Sequence, residues 1–142
     1  MAYLTLNSGK LRENYDSLDN LFRENDIKWG VVSKVLCGNK QFLSELISFG
    51  VNQICDSRVS NLRTIKSINP DIETMYIKPP AKRSIKSVVE TADISLNTEY
   101  ETIRLLSEEA KRQGKVHKII IMLEMGELRE GVLREDFMDF YA

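Results

Sequence analysis

A helix leads directly into a strand in the stretch Gln41-Phe-Leu-Ser-Glu-Leu-Ile-Ser-Phe-Gly50-Val-Asn-Gln-Ile-Cys55. Residues 41–49 are predicted to be helical, and Gly50 ends the helix because glycine readily takes the left-handed conformation found just past helix ends. Residues 51–55 form the next strand, without a linker between the two elements. Repetition of this unit along a chain is typical of a parallel α/β sheet.

The same alternation continues on both sides of this stretch. Helices are predicted at Ser8–Glu24, Gln41–Phe49, Asp56–Ile68, Arg83–Glu90 and Thr98–Arg112. Strands are predicted at Trp29–Leu36, Val51–Cys55, Thr74–Ile77, Ala92–Leu96 and Lys118–Leu123. Five β/α units with right-handed crossovers indicate either a doubly wound sheet or a (β/α)8 barrel.

The absence of a glycine-rich nucleotide loop favours the barrel. No strand is followed by a Gly-x-Gly-x-x-Gly turn or a Walker loop, which are usual in doubly wound nucleotide-binding sheets. A complete barrel needs about 250 residues, whereas this chain has 142. We therefore predict one α/β domain over residues 1–142, the N-terminal portion of a TIM barrel, with the remainder of the protein absent.

Composition limits the classes of partner. Hydrophobic residues make up 42% of the chain and charged residues 29%, as in an ordinary globular domain. The 20 basic and 21 acidic residues are well mixed, so no nucleic acid or membrane partner is expected. Cys37 and Cys55 are predicted to be free thiols in a cytoplasmic protein, because no signal peptide or long apolar span is visible. Neither cysteine has a histidine at zinc-ligand spacing, so no metal is expected.

Active sites of parallel α/β proteins lie at the C-terminal ends of the strands. The polar residues at those positions are Lys34, Cys37, Asp56, Ser57, Arg58, Lys78, Asn97 and the segment Glu124–Gly131. Four residues at these ends also suit a simpler role, because Asp56 or Ser57 and Asn97 or Thr98 are good helix N-caps.

Two of these side chains are candidates for chemistry. Lys34 ends an apolar run, where a desolvated amine can attack an aldehyde to form a Schiff base, although a lysine there also commonly extends into water. Arg129 lies in a loop between Gly126 and Gly131 and offers planar donors to a phenolate, carboxylate or phosphate. Its alternative role is an ion pair with a neighbouring glutamate. His117 precedes its strand, at the opposite end of the barrel, and is not counted as catalytic.

Four motifs occur in an order that matches the predicted strand ends. They are Val-Val-Ser-Lys34-Val-Leu-Cys-Gly38, Cys55-Asp-Ser-Arg58, Ser95-Leu-Asn97-Thr-Glu99 and Met122-Leu-Glu-Met-Gly126-Glu-Leu-Arg129-Glu-Gly131. Together they resemble the N-terminal barrel of the alanine racemase family. The members of that family are fold-type III pyridoxal phosphate enzymes. The resemblance runs from about Tyr3 to the end of the chain and is closest to the ornithine racemase-like branch.

This resemblance implies a pyridoxal 5'-phosphate-dependent racemase that interconverts L- and D-amino acids. Lys34 would hold the cofactor as a Schiff base and act as a catalytic base, Arg129 would donate to the phenolic oxygen, and Asn97 would be a further cofactor contact. The family also implies a homodimer, in which a tyrosine from the partner's C-terminal domain is the second base. The chain without that domain is therefore expected to be inactive.

The chain also departs from alanine racemases. Those enzymes usually carry a phosphate-binding tyrosine soon after the lysine, where this chain has Cys37-Gly38-Asn39, and often a carbamylated lysine where it has Met122. Both differences argue against alanine as the substrate. Two alternatives stay open: a noncatalytic pyridoxal phosphate-binding homeostasis protein, and a structural unit whose unpaired sheet edges drive dimerisation.

Overall fold

The computed structural model describes residues 5–141 and contains one five-stranded parallel sheet. The strands are β1 (Val31–Val32), β2 (Gln53–Asp56), β3 (Glu73–Tyr76), β4 (Ile94–Asn97) and β5 (Lys118–Ile121). Their order in the sheet is the same as their order in the chain. A doubly wound sheet reverses direction at a switch point, whereas a barrel adds each strand beside the previous one. The order therefore confirms the predicted N-terminal portion of a barrel.

Six α-helices accompany the strands in the described part of the chain. They are α1 (Ser8–Glu24), α2 (Lys40–Ile47), α3 (Val59–Ile68), α4 (Ile85–Thr91), α5 (Tyr100–Gln113) and α6 (Phe137–Tyr141). The predictions for α1 to α5 are confirmed apart from their ends. No helix of the described residues is long and apolar enough to cross a membrane.

The helix-cap predictions after β2 and β4 are wrong. The N-cap residue is Arg58 for helix α3 and Glu99 for helix α5, and neither makes a side-chain cap hydrogen bond. Asp56 and Asn97 instead belong to the preceding strands. Strand pairing holds both residues in extended backbone, and their side chains are bonded elsewhere, which leaves the helices to begin two or three residues later.

The first strand is much shorter than predicted. Strand β1 contains only Val31 and Val32, which pair with Ile54 and Cys55 of β2. The amide of Ser33 still donates to the Cys55 carbonyl at 2.9 Å, after which the chain turns. Residues Lys34–Leu36 form a 3₁₀ turn rather than the end of a strand.

The helices cover one face of the sheet. The largest fully buried apolar side chains of this layer are Leu43, Ile54, Leu62, Ile65, Leu106, Val88 and Val89. On the other face, Gln53 of β2 donates to Glu73 of β3 at 2.6 Å, and Lys118 of β5 reaches the same carboxylate at 2.7 Å. The helices leave this face uncovered, so it is the face that forms the interior of the partial barrel.

Candidate functional site

Lys34 is exposed at the C-terminal edge of the sheet, where the 3₁₀ turn follows β1. The turn ends at Cys37 (φ 50°) and Gly38 (φ 72°), both in left-handed backbone conformation. Asn39 then caps helix α2 by accepting from the Phe42 amide at 3.1 Å. The lysine is therefore carried by a tight connection between β1 and α2, at the barrel edge where active sites form.

A buried carboxylate lies next to this connection. Asp56 has no exposed surface, and it accepts hydrogen bonds from the Ser33 hydroxyl at 3.0 Å and from the Arg58 amide at 3.0 Å. The side-chain amide of Asn61 donates to the same carboxylate at 3.1 Å. Asp56 therefore binds Ser33 and Asn61 rather than capping a helix, and the sequence pattern does not single out either partner. The available signal was the position of Ser33, directly before Lys34.

Asn97 is enclosed at the end of β4. Its amide nitrogen donates to the Ser95 carbonyl at 2.8 Å and to the Ser95 hydroxyl at 3.1 Å, both within its own strand. Its carbonyl oxygen is buried and has no hydrogen-bond partner among the described residues. An unpaired buried acceptor is costly, so this oxygen is a polar atom of Asn97 whose partner the described residues do not supply.

His117 contacts the same serine from the opposite end of the strands. Its Nε2 lies 2.9 Å from the Ser95 hydroxyl, and its Nδ1 lies 3.0 Å from the carbonyl of Ala92, which precedes β4. Burial lowers the pKa of His117 below its ordinary value. The ring therefore lies near the N-terminal ends of the strands, as its position before β5 predicted.

The loop that carries Arg129 is organised by Glu124. The Glu124 carboxylate accepts from the amides of Gly126 at 2.5 Å and Arg129 at 3.2 Å. Backbone donors, first of all that of Leu128, hold the pKa of Glu124 below its usual range. The Arg129 guanidinium is mostly exposed, and among the described residues it pairs only with the Glu130 carboxylate, at 4.0 Å. The loop thus fixes the Arg129 backbone and leaves its guanidinium accessible.

Lys34 and Arg129 lie at opposite sides of the sheet edge. They follow β1 and β5, the two outer strands, which four strand spacings separate by about 19 Å along the sheet. Among the described residues no hydrogen bond or salt bridge joins the two side chains. The structure places both at the predicted barrel edge without bringing them into contact.

The remaining strand-end candidates do not form a cluster. Lys78, Arg58 and Cys37 are exposed, and Ser57 is partly buried. None of their side chains has a recorded hydrogen bond to Lys34 or Arg129 in the described part of the chain. The site is therefore described best by Lys34, the Arg129 loop and the end of β4.

The two cysteines are expected to differ sharply in reactivity. Cys37 is exposed in the Lys34 connection, whereas Cys55 is buried in β2, and burial raises the pKa of the Cys55 thiol to about 11. Because the thiolate is the reactive form, a thiol reagent at pH 8 is expected to label Cys37 and to spare Cys55 until the protein is unfolded. Peptide mapping after labelling measures this. Equal labelling of both cysteines in the native protein would contradict the structure.

A family model matches nearly the whole sequence. The family "Alanine racemase, N-terminal domain" matches residues 6–142, nearly the whole chain. The chain belongs to this family. The family and the fold are thus those that the ordered strand-end motifs predicted.

Two curated relatives are amino acid racemases. An ornithine racemase from Acetoanaerobium sticklandii is 37% identical over 128 residues, covering 90% of this chain and 36% of the relative. A lysine racemase from Thermotoga maritima is 24% identical over 139 residues, covering 98% of this chain and 39% of the relative. The chain therefore spans little more than a third of the length of these relatives.

Solved structures share the fold at low sequence identity. An alanine racemase from Clostridium difficile superposes with a TM-score of 0.75 and 16% identity, covering 92% of this chain and 36% of that one. PipY from Synechococcus elongatus, in a structure without pyridoxal phosphate, has a TM-score of 0.71 and 14% identity, covering 91% of this chain and 63% of that one. These likenesses establish the alanine racemase-like barrel architecture.

Proposed function

We propose that this chain is part of a pyridoxal 5'-phosphate-dependent amino acid racemase. The family membership supports this proposal, together with the ornithine and lysine racemases among the relatives. The structural observation that carries it is the position of Lys34, which presents an exposed amine at the C-terminal edge of the strands. The full-length protein is proposed to contain, in addition to this chain, the rest of the barrel and a C-terminal domain.

The residues present fit the cofactor. An accessible primary amine is the group that reacts with the aldehyde of pyridoxal phosphate, and Lys34 supplies one. An accessible guanidinium suits an anionic oxygen, and Arg129 supplies one from a fixed loop. The buried carbonyl oxygen of Asn97 suits a donor on the same edge. Lys34, Arg129 and Asn97 are accordingly the residues proposed to hold the cofactor.

The proposed mechanism gives Lys34 two tasks. The bound cofactor supplies an electron sink for the carbanion that forms at the α-carbon of the amino acid. The Lys34 amine would hold the cofactor and, when free, would remove or return the α-proton on one face of the substrate. Arg129 would donate to the phenolic oxygen of the cofactor from its fixed loop. Inversion then needs a second acid or base on the other face.

The second base and the phosphate site are proposed to come from outside this chain. The chain covers little more than a third of the length of its curated relatives, and its described residues form five strands, where a complete barrel has eight. We propose that a following segment completes the barrel, and that a homodimer supplies the second base from the partner subunit. These 142 residues alone are then inactive.

We also propose a cytoplasmic location, consistent with two free thiols.

The proposed substrate is a basic or other non-alanine amino acid. Two positions depart from alanine racemases, namely the Cys37-Gly38-Asn39 segment after the lysine and Met122 near the end of the fifth strand. Ornithine and lysine, the substrates in the names of the two relatives, both carry a side-chain amine. A panel of L-amino acids assayed with the full-length protein would rank ornithine and lysine above alanine on this proposal.

Covalent trapping tests the proposed function. The full-length protein is mixed with pyridoxal phosphate, reduced with borohydride and digested, and the modified lysine is located by peptide mapping. Modification at Lys34 together with amino acid racemisation is the expected result. Modification elsewhere, for example at exposed Lys28, would contradict the assignment. Modification at Lys34 without racemisation of any amino acid would favour a noncatalytic cofactor-binding protein.

A further inference from the structure

The connection that carries Lys34 contacts one buried polar cluster at both of its ends. This cluster, named here the Asp56 cluster, consists of Ser33, Asp56 and Asn61. Ser33, the residue before Lys34, is 1% exposed and donates its hydroxyl proton to the Asp56 carboxylate at 3.0 Å. Asn61 of α3 donates to the same carboxylate. The turn is thus attached to β2 and α3 directly before its lysine.

The C-terminal end of the turn, at Gly38, packs against Asn61 of the same cluster. Gly38 has a φ of 72°, and a Cβ built on it would lie 2.6 Å from Oδ1 and 3.2 Å from Cγ of Asn61. The Asn61 amide is therefore packed directly against the Gly38 backbone. Because the nitrogen of that amide is bonded to Asp56, the carboxylate determines where the amide lies. The turn is consequently bonded to Asp56 at Ser33 and packed at Gly38 against Asn61, whose amide is bonded to Asp56.

Asp56 has no other evident task. It is fully buried, its recorded partners are Ser33, Arg58 and Asn61, and it is remote in sequence from the residues whose chemistry is proposed above. A buried carboxylate that lacked its donors would be costly, so all three donors are held tightly to it. The geometry points to Asp56 as a positioning residue that fixes the backbone turn presenting the Lys34 amine. This inference rests on the proposed function, in which Lys34 is the reactive group.

Two substitutions test the Asp56 cluster, one by changing the carboxylate itself and one by removing a single hydrogen bond to it. Asp56→Asn places an amide among three donors, and Ser33→Ala removes only the contact beside Lys34. Both variants of the full-length protein are expected to slow borohydride trapping of pyridoxal phosphate at Lys34 by about tenfold or more, since small displacements of a reacting group cost about that much. Ser33→Ala leaves the other two donors to the Asp56 carboxylate in place, so it is expected to fold, although at a lower melting temperature than wild type. It keeps the test decisive if Asp56→Asn does not fold.

Asp93→Asn is the matched control. The Asp93 carboxylate also accepts three hydrogen bonds, from Lys66 and from the amide and hydroxyl of Thr74, but it precedes β4 at the other end of the sheet. It is expected to lower stability without changing the trapping rate at Lys34. Unchanged trapping in both cluster variants, or equal slowing by Asp93→Asn, would overturn the inference.

Hydrogen exchange without cofactor separates this inference from the proposed function. The amides of Leu36 and Cys37 donate to the carbonyls of Ser33 and Lys34 at 2.8 and 3.2 Å, so their exchange reports the turn itself. Faster exchange at residues 36–37 in the cluster variants, and not in Asp93→Asn, is expected. If wild-type protein did not trap cofactor at Lys34, the proposed function would fall. Unchanged exchange in the cluster variants would overturn the positioning role alone.

Discussion

Replacing Lys34 with alanine in the full-length protein is expected to lower the racemisation rate by at least about a thousandfold. The variant loses both proposed tasks of the amine, because it neither attaches the cofactor nor exchanges the α-proton on its face. Lys34 is exposed and starts a single 3₁₀ turn, so its side chain supports no core packing and the fold should be retained. Racemisation is followed by circular dichroism of the amino acid, and folding by the melting temperature.

Lys28→Ala is the control for this experiment. Lys28 is an exposed lysine that precedes the same strand, so it lies at the opposite end of β1 from Lys34. Its replacement removes the same charge and is expected to leave racemisation within about twofold of wild type. Activity of Lys34→Ala above one tenth of wild type would show that another group carries the chemistry.

Replacing Gly131 with alanine is expected to destabilise the Arg129 loop by about 3 kcal/mol or more. Gly131 has a φ of 135°, and an added Cβ would lie 2.5 Å from the Glu124 amide nitrogen and 2.7 Å from the Leu123 carbonyl carbon. Those atoms belong to backbone that hydrogen bonds fix, since Glu124 donates to the Val132 carbonyl at 2.9 Å. The methyl group therefore displaces the loop rather than a flexible side chain.

Gly126→Ala separates this clash from backbone strain. Gly126 has a φ of 116° in the same loop, but a Cβ there would meet nothing within 4 Å. Its replacement is expected to cost about 1 kcal/mol, from conformation alone. Urea unfolding of the full-length proteins measures both free energies, and titration with pyridoxal phosphate reports whether the displaced Arg129 weakens binding. Equal effects of the two substitutions would contradict the close approach at Gly131.

The sequence predicted which residues lie at the strand ends, but not which of them cap the following helices. The positions of Lys34 and Arg129 at the C-terminal barrel edge were predictable, because each follows an apolar run between helical segments. The caps at Asp56 and Asn97 were predicted wrongly, because an Asp or Asn between a strand and a helix suits either element. Pairing with β3 and β5 keeps these two residues in their strands.

Long-range contacts explain the functional residues that were missed. Ser33 bonds to Asp56, 23 positions away, and Asn61 packs against Gly38, also 23 positions away. No local periodicity encodes such pairs. They form only when β1 pairs with β2 and α3 packs against β2, so the Asp56 cluster depends on the packing of the sheet and its helices.

By itself, the sequence determined the alternation of five strands and five helices and the order of the motifs at the strand ends. Those features follow from local patterns of apolar residues, glycine and proline. Only the tertiary structure decided that β1 stops at Val32, that Lys34 starts a turn, and that Asp56 accepts a hydrogen bond from Ser33 directly before this turn. The physical reason is that strand length and side-chain partners depend on hydrogen bonds between residues that are distant in the chain.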